Sequence, residues 1–530
     1  MLVRGRIFTS DPDRPWAEAM VIDGDTIVYV GDASGATGDD VIDTAGVVVP
    51  GFVDGHAHLL HAGAALVRAA LRPCTSIDEI ATELRRWLAA NPDAPRVLGV
   101  GWTFSAVPDS TPTRQLLDAV VSYRPVYLDA SDVHSVWCNS AALAELGVDD
   151  DTPDPLGGTI VRDVDGHATG LLLENAGYHL AWPVMNATTD DEDDRYLAAA
   201  IEAYIASGTT CAVDMGADDG LLAAVDRALG HGPLPFSIVA HWMMRRADDP
   251  ADELAQVRVA ASKARERSSG PLRIAGVKFI TDGTIDGCTA GMCEPFTNGE
   301  PGEMIWPRER LEPAVLLADE LGLQIACHAI GDLAVRTVLD VYEVAAAARA
   351  ARGDTAERRH RIEHLEYVDA VDVARLAPMG VTASMQPVHV NPAYLDNWCE
   401  LLGPERAQRG FAWPEYLAHG TTLAFGTDVP TAPHQPLPNM YIAATRRSPE
   451  VPTAEPLRPD FALPLEDAIV HGTRDSAWAS FEEHRRGVLA AGRVADFVVL
   501  DVDPFLEGAE SLLSAKITHT VVAGRVVHRA

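Results

Sequence analysis

Residues 47–58 read Val-Val-Val-Pro-Gly-Phe-Val-Asp-Gly-His-Ala-His. An apolar β-branched run that meets Pro50-Gly51 and then delivers His56 and His58 describes a buried strand, residues 48–54, that ends in half a metal site. Side chains two apart on a strand point to the same side. Neutral imidazole is the commonest protein metal ligand, so two on one rigid strand end are preorganised for a divalent ion. Two surface histidines on a loop would give the same tripeptide. The choice turns on whether further ligands arrive at other strand ends, in an order that one fold can gather.

Working outward, apolar strands are expected at 209–215, 236–242, 274–280, 323–328, 360–364, 381–386 and 422–427, which with 48–54 make eight. Helical stretches such as 311–321 and 334–351 lie between them, with Gly322 placed as a C-terminal stop. Eight strand–helix units imply an α/β fold of the (β/α)8 TIM-barrel class, which carries its catalytic groups at the C-terminal ends of the strands. Apolar runs of this length also fit buried helix segments, so periodicity alone leaves other folds open.

The flanks have a different character. Short alternating segments at 2–8 and 19–30 turn at Asp23-Gly24-Asp25, and the far end repeats the style at 496–500 and 517–527, turning at Ala523-Gly524. Neither set could hide a hydrophobic face alone, so residues 1–47 and 485–530 are expected to complete one small β-sandwich. The barrel then comprises 48–58 plus 206–484. Residues 59–205 become a large insertion after strand 1, with helices at 77–90, 113–121 and 195–206, short strands at 97–100 and 126–128, and a hairpin turning at Asp165-Gly166. Such an insertion is expected to shape substrate access. The acidic run 190–194 reads as a solvated helix entry rather than a metal site.

At the strand ends stand His56 and His58 (strand 1), Lys278 (strand 4), His328 (strand 5), His364 (strand 6) and Asp428 (strand 8). Taken singly, His328 or His364 is a hydrogen-bonded core histidine and Asp428 a turn residue. Taken together, they are metal ligands or bridges at the end where a barrel keeps its active site.

Composition narrows the function. The 530 residues carry a formal net charge of −35, which excludes the basic clustering that nucleic acid requires and disfavours anionic membranes. Seven scattered cysteines argue for reduced thiols, and Cys288 and Cys293 lack the second pair that a structural zinc would need. The opening Met-Leu-Val-Arg-Gly-Arg-Ile-Phe lacks the apolar core and cleavage site of a signal peptide, so a cytoplasmic protein is expected. Lys263, Lys278 and Lys516 are the only lysines, and Lys278 lies inside an apolar strand.

The motifs Val-Pro-Gly-Phe-Val-Asp-Gly-His-Ala-His, Val277-Lys278-Phe279 with Asp282-Gly283, Cys327-His328-Ala329-Ile330-Gly331-Asp332, Ile362-Glu363-His364 and Phe425-Gly426-Thr427-Asp428 together resemble the amidohydrolase superfamily. The insertion, with His134-Ser-Val-Trp-Cys-Asn139 and Thr169-Gly170 to Glu174, is similar to its YtcJ-like branch, which includes N-substituted formamide deformylases. The resemblance spans nearly the whole chain; it is specific for the superfamily and far less so for substrate.

The resemblance implies one or two divalent ions, most often zinc. His56, His58 and Asp428 would hold the more buried ion, His328 and His364 the more exposed one, and Lys278 would bridge them as a carbamate formed from CO₂. An ammonium beside two cations is repelled, whereas a carbamate is an anionic oxygen ligand. Water near such ions is acidified towards roughly pKa 7. Asp428 would orient that water, take its proton and pass it to the leaving nitrogen. Trp102, His134, Glu174 and His389 sit where related enzymes place pocket residues, with His134 able to help hold the oxyanion and Glu174 to meet the amine side. Trp102 equally suits insertion core. Val133 stands where many relatives carry glycine, which weakens the analogy for His134. The glycine-rich loop 281–306 is a candidate lid.

The expected activity is hydrolysis of a small non-peptide amide, such as an N-formyl or N-acyl amine. A deaminase, a cyclic amidase, a carbamate or ester hydrolase, or a non-catalytic binding protein on the same fold are the alternatives. The sequence leaves the oligomeric state open, with a homodimer one assembly that barrels of this kind adopt.

Overall fold

The structure is a computed structural model of the 530-residue chain; it describes all residues except 39, 131–134, 156–157, 175, 393–394 and 396, and the side chain of Glu174. Two compact units emerge, Met1–His58 with Ile201–Ala530, and Leu59–Ala200.

The first unit holds an eight-stranded parallel barrel: β1 Phe52–Ala57, β2 Thr209–Ala217, β3 Ser237–Met243, β4 Leu272–Ile280, β5 Gln324–Ala329, β6 Arg361–His364, β7 Thr382–Met385 and β8 Leu423–Phe425. Each pairs in parallel with its neighbour, and an Ala57–Val429 bridge joins the chain just beyond β8 to β1. The (β/α)8 expectation therefore holds. Helices Arg308–Glu320 and Asp332–Ala351 lie between strands, and Gly322 adopts φ +81 where the first was expected to stop.

One boundary differs. Val48–Pro50, read from sequence as the start of β1, belongs to strand Val41–Pro50 of a separate sheet. Pro50 and Gly51 break the apolar run in two, and the barrel strand begins at Phe52. That separate sheet has seven strands and joins both chain ends, with Val41–Pro50 flanked by Leu2–Phe8 and Phe497–Leu500. Val3, Ile7, Met20, Phe497 and Val521 share one buried core, so the terminal segments form the composite sandwich together.

The second unit is a six-stranded mixed sheet with helices, built around Leu84, Trp102, Leu128 and Trp137. Its helix Ile77–Ala90 starts on Ser76, whose side chain accepts from the Glu79 amide, while Glu79 accepts from the Thr75 amide. Helix Asp190–Ala206 runs across the boundary at Ala200, and the acidic run forms its first turn, where carboxylates favour the helix dipole. Among the described residues no helix is long and apolar enough to cross a membrane.

Candidate metal centre

β1 and the segment after β8 approach too closely for side chains at two positions. A Cβ on Gly426 would lie 2.3 Å from the His56 amide nitrogen, and one on Gly55 would lie 2.7 Å from the Phe425 carbonyl oxygen. The glycines let the Asp428 amide donate to the His56 carbonyl at 2.7 Å. Asp428 Oδ1 then stands 3.2 Å from both His56 Nε2 and His58 Nε2. Asp428 and His364 take positive φ, +56 and +77, a conformation unfavourable for residues with a Cβ. Such strain concentrates at functional sites.

Around this nucleus the other strand ends converge. Lys278, 2% exposed, brings Nζ to 3.4 Å from His56 Nε2. The His364 ring lies 4.9 Å from His56, 4.5 Å from His328 and 5.7 Å from His389, measured between centroids. His389 Nε2 is 3.5 Å from Asp428 Oδ2. Among the described residues two groups bring their ligand atoms within 4.8 Å of one another: His56, His58 and Asp428, and His364, His389 and Asp428.

The placement of the sequence-nominated residues is uneven. His56, His58, Lys278, His364, Asp428 and His389 come together. His328 stands beside His364 yet belongs to neither group; its Nε2 faces the Gly283 carbonyl at 3.1 Å. Trp102 is fully buried in the core of the second unit and donates its indole N–H to the Leu128 carbonyl, the insertion-core alternative rather than a pocket wall. His134 and the Glu174 side chain lie outside the described residues. The 281–306 loop is tied down by bonds from Thr297 to Leu401 and Glu400 and from Arg406 to the Glu294 and Pro295 carbonyls.

Four histidines are oriented through one ring nitrogen. His56 Nδ1 donates to Glu363 Oε2 at 2.7 Å, and Glu363 is itself anchored by Arg361 Nε at 2.7 Å. His364 Nδ1 lies 2.8 Å from Gln386 Oε1, His389 Nδ1 lies 3.0 Å from Glu366 Oε1, and His328 Nε2 meets Gly283 as above. At His56, His364 and His328 the acceptor fixes a tautomer and leaves the opposite nitrogen with its lone pair, the arrangement that metal-binding histidines require; at His389, which faces Glu366 and Asp428, burial would lower the pKa but Glu366 outweighs it and raises it. Glu363, Glu366 and Gln386 were not assigned roles from sequence. The signal was available in part, since a carboxylate directly precedes His364 in a strand that also carries Arg361.

The electrostatics agree. Burial drives His328 down to about 3 and His364 well below its usual range, so both rings are neutral near pH 7. Burial alone would raise the Asp428 and Glu363 carboxyls. The histidines around Asp428, and Arg361 with His56 around Glu363, outweigh burial and hold both ionised. Burial lowers Lys278, favouring the neutral amine. Neutral imidazoles with a held carboxylate are the donor set of a divalent transition-metal site, so the residues present fit such an ion.

Comparisons with known proteins agree with this chemistry. The family model described as amidohydrolase family matches residues 40–528. The chain is 30% identical to the putative amidohydrolase YtcJ of Bacillus subtilis, covering 91% of this chain and 89% of that protein. It is 27% identical to the N-substituted formamide deformylase of Arthrobacter pascens, covering 99% and 97%. Among solved structures, a metal-dependent hydrolase from Pyrococcus horikoshii superposes with a TM-score of 0.78 at 26% identity, covering 99% of both chains.

Proposed function

This chain belongs to the amidohydrolase family, hydrolases of carbon–nitrogen bonds other than peptide bonds, and on that premise we propose that it cleaves a small N-formyl or N-acyl amine. The observation that carries the reading is the convergence of His56, His58, Lys278, His364 and Asp428 at the C-terminal ends of the barrel strands, with tautomers fixed by Glu363 and Gln386. Likeness to a formamide deformylase over 99% of this chain supports the amide class.

His56, His58 and Asp428 would hold one divalent ion, zinc being our first choice, and His364 and His328 would serve a second. Such an ion, when bound, supplies Lewis acidity that lowers the pKa of water and polarises the scissile carbonyl. The chain's own residues do the rest. Asp428, held ionised, takes a proton from the attacking water as the new C–O bond forms. It then gives that proton to the departing nitrogen as the C–N bond breaks, so the amine leaves neutral. Glu366 holds His389 beside the second Asp428 oxygen, keeping the carboxylate aimed at the reacting atoms.

Lys278 contributes through covalent chemistry. A buried amine with a lowered pKa is a nucleophile. Its Nζ would add to CO₂, lose one proton and become an anionic carbamate able to serve as a cation ligand.

The test pairs elemental analysis of purified protein with a screen for amine release from N-formyl and N-acyl amines, on wild type and Lys278→Ala. We expect bound metal and released amine in wild type, both falling in the variant. Ammonia release, ring opening or ester cleavage with amides untouched would move the substrate to those classes. A metal-loaded wild type inert towards every class would favour a binding protein.

A further inference from the structure

Asp54 is not a candidate ligand, but its carboxylate accepts four hydrogen bonds beside the centre. Its Oδ1 accepts from the Thr427 amide at 2.9 Å and the His56 amide at 3.2 Å. Its Oδ2 accepts from the Thr427 hydroxyl at 2.6 Å and the Tyr204 hydroxyl at 2.8 Å. The residue is 5% exposed. All four partners are N–H or O–H groups, the pattern of an acceptor-only carboxylate with its lone pairs filled.

These bonds join pieces far apart in sequence. His56 carries a ligand ring on β1, Thr427 immediately precedes Asp428 beyond β8, and Tyr204 sits in the last turn of helix Asp190–Ala206, just ahead of β2. Asp428 holds a left-handed backbone that a residue with a Cβ does not choose freely. What precedes it must impose that conformation. Thr427 is pinned at both its amide and its hydroxyl by one carboxylate, and the Asp428 amide is pinned to the His56 carbonyl. The equal 3.2 Å separations of Asp428 Oδ1 from His56 Nε2 and His58 Nε2 follow from that registration.

We propose that Asp54 is a positioning residue: it locks β1 to the Thr427–Asp428 turn and thereby sets the spacing between His56, His58 and Asp428 to suit a divalent cation. The proposal rests on reading those three residues as a cation site. Asn at position 54 keeps one carbonyl oxygen for the two amides and turns an NH₂ to the Thr427 and Tyr204 hydroxyls, which must then reverse from donor to acceptor, and the negative charge that strengthened all four bonds is lost.

The experiment titrates metal-stripped full-length protein with Co²⁺, following the visible absorption of the bound ion, whose shape reports coordination geometry. Wild type, Asp54→Asn, Thr427→Val and Asp319→Asn are compared, the last a destabilising change remote from the centre. Asp54→Asn should bind Co²⁺ about 10- to 100-fold more weakly, the range for groups that orient metal ligands, with an altered spectrum. Thr427→Val, which removes one of the four bonds to Asp54 along with the bond from the Val429 amide, should fall between it and wild type, and Asp319→Asn should bind as wild type does. Wild-type affinity and spectrum in Asp54→Asn would overturn the proposal. So would an equal loss in Asp319→Asn, which would mark the effect as general destabilisation. A wild-type chain that takes up no Co²⁺ would sink the cation reading itself and the clamp with it.

Discussion

Asp428 and Asp319 are both buried barrel-unit carboxylates, and they keep opposite company. Asp319, on helix Arg308–Glu320, is enclosed by Arg349, by Arg352 at 3.2 Å, by Arg358 at 3.7 Å and by His360 at 3.1 Å. Permanent cations close that charge within the chain. Asp428 faces His56, His58, His364 and His389, with the nearby Arg361 already committed to Glu363. Titratable imidazoles, unlike permanent cations, leave room for a cation brought from outside to complete the cluster through their ring nitrogens. One cluster is finished by folding and the other by binding.

The sharpest way to break this contrast is to neutralise each carboxylate in turn. Asp428→Asn should lower kcat/KM by about 10³- to 10⁴-fold, the upper range for a lost general base, while leaving the unfolding midpoint close to wild type. Asp319→Asn should do the reverse. Stability should fall by about 3 kcal/mol, the lower end for breaking a buried pair because Arg352 still reaches solvent, with metal content per folded chain unchanged. Urea titrations beside steady-state rates read both. If Asp428→Asn cost as much stability as Asp319→Asn, the centre would be a structural ion-pair cluster after all.

A smaller effect tests how the open cluster is aimed. Glu363 accepts the His56 Nδ1 proton and touches no candidate cation position directly. Glu363→Gln should therefore weaken metal binding by about 10- to 100-fold without abolishing it, as isothermal titration of the stripped protein would show. Unchanged affinity would mean that His56 holds its tautomer without Glu363. Complete loss would mean that Glu363 supports the barrel strand itself.

The same contrast explains how much the sequence revealed. Strand ends were legible because ligands follow apolar runs: His56 and His58 after Phe52-Val53, Lys278 within a nine-residue strand, Asp428 after Phe425-Gly426. A period-2 run and its stop are local properties, and a barrel fixes which end matters. The orienting groups were hidden because their partners are remote. Glu363 meets His56 across 307 residues and Asp54 meets Thr427 across 373, distances that no local pattern encodes. His389 was nominated for the pocket by resemblance to related enzymes; its place beside Asp428 depends on Glu366, which nothing local marks. Splitting 48–54 between two sheets was invisible for a related reason. Buried strands of the sandwich and of the barrel are equally apolar, and only Pro50-Gly51 separates them.

The finest test of the contrast is acid. Burial alone would raise Asp319, but His360 and Arg349 outweigh it and hold the folded carboxyl below its usual value. A depressed carboxyl contributes stability above its unfolded pKa, roughly 3.9, and loses it as pH falls through the folded value. His360 is lowered by burial against the opposing pull of Asp319, so it acts with the same sign in a higher window, beginning below roughly pH 6.5. Asp319→Asn removes the first window and, with the pull of Asp319 gone, lets burial lower His360 further, which deepens the second at its acid end. Wild type should therefore lead the variant by a constant margin near neutrality, and the margin should shrink below about pH 4 as Asp319 takes up its proton. Urea midpoints measured from pH 7 to pH 3 would show the convergence. A margin that stayed constant into acid would mean that the shape of Asp319 and its hydrogen bonds, rather than its charge, hold helix Arg308–Glu320 to the arginines, and the closed cluster would then owe nothing to the electrostatics that set it apart from Asp428.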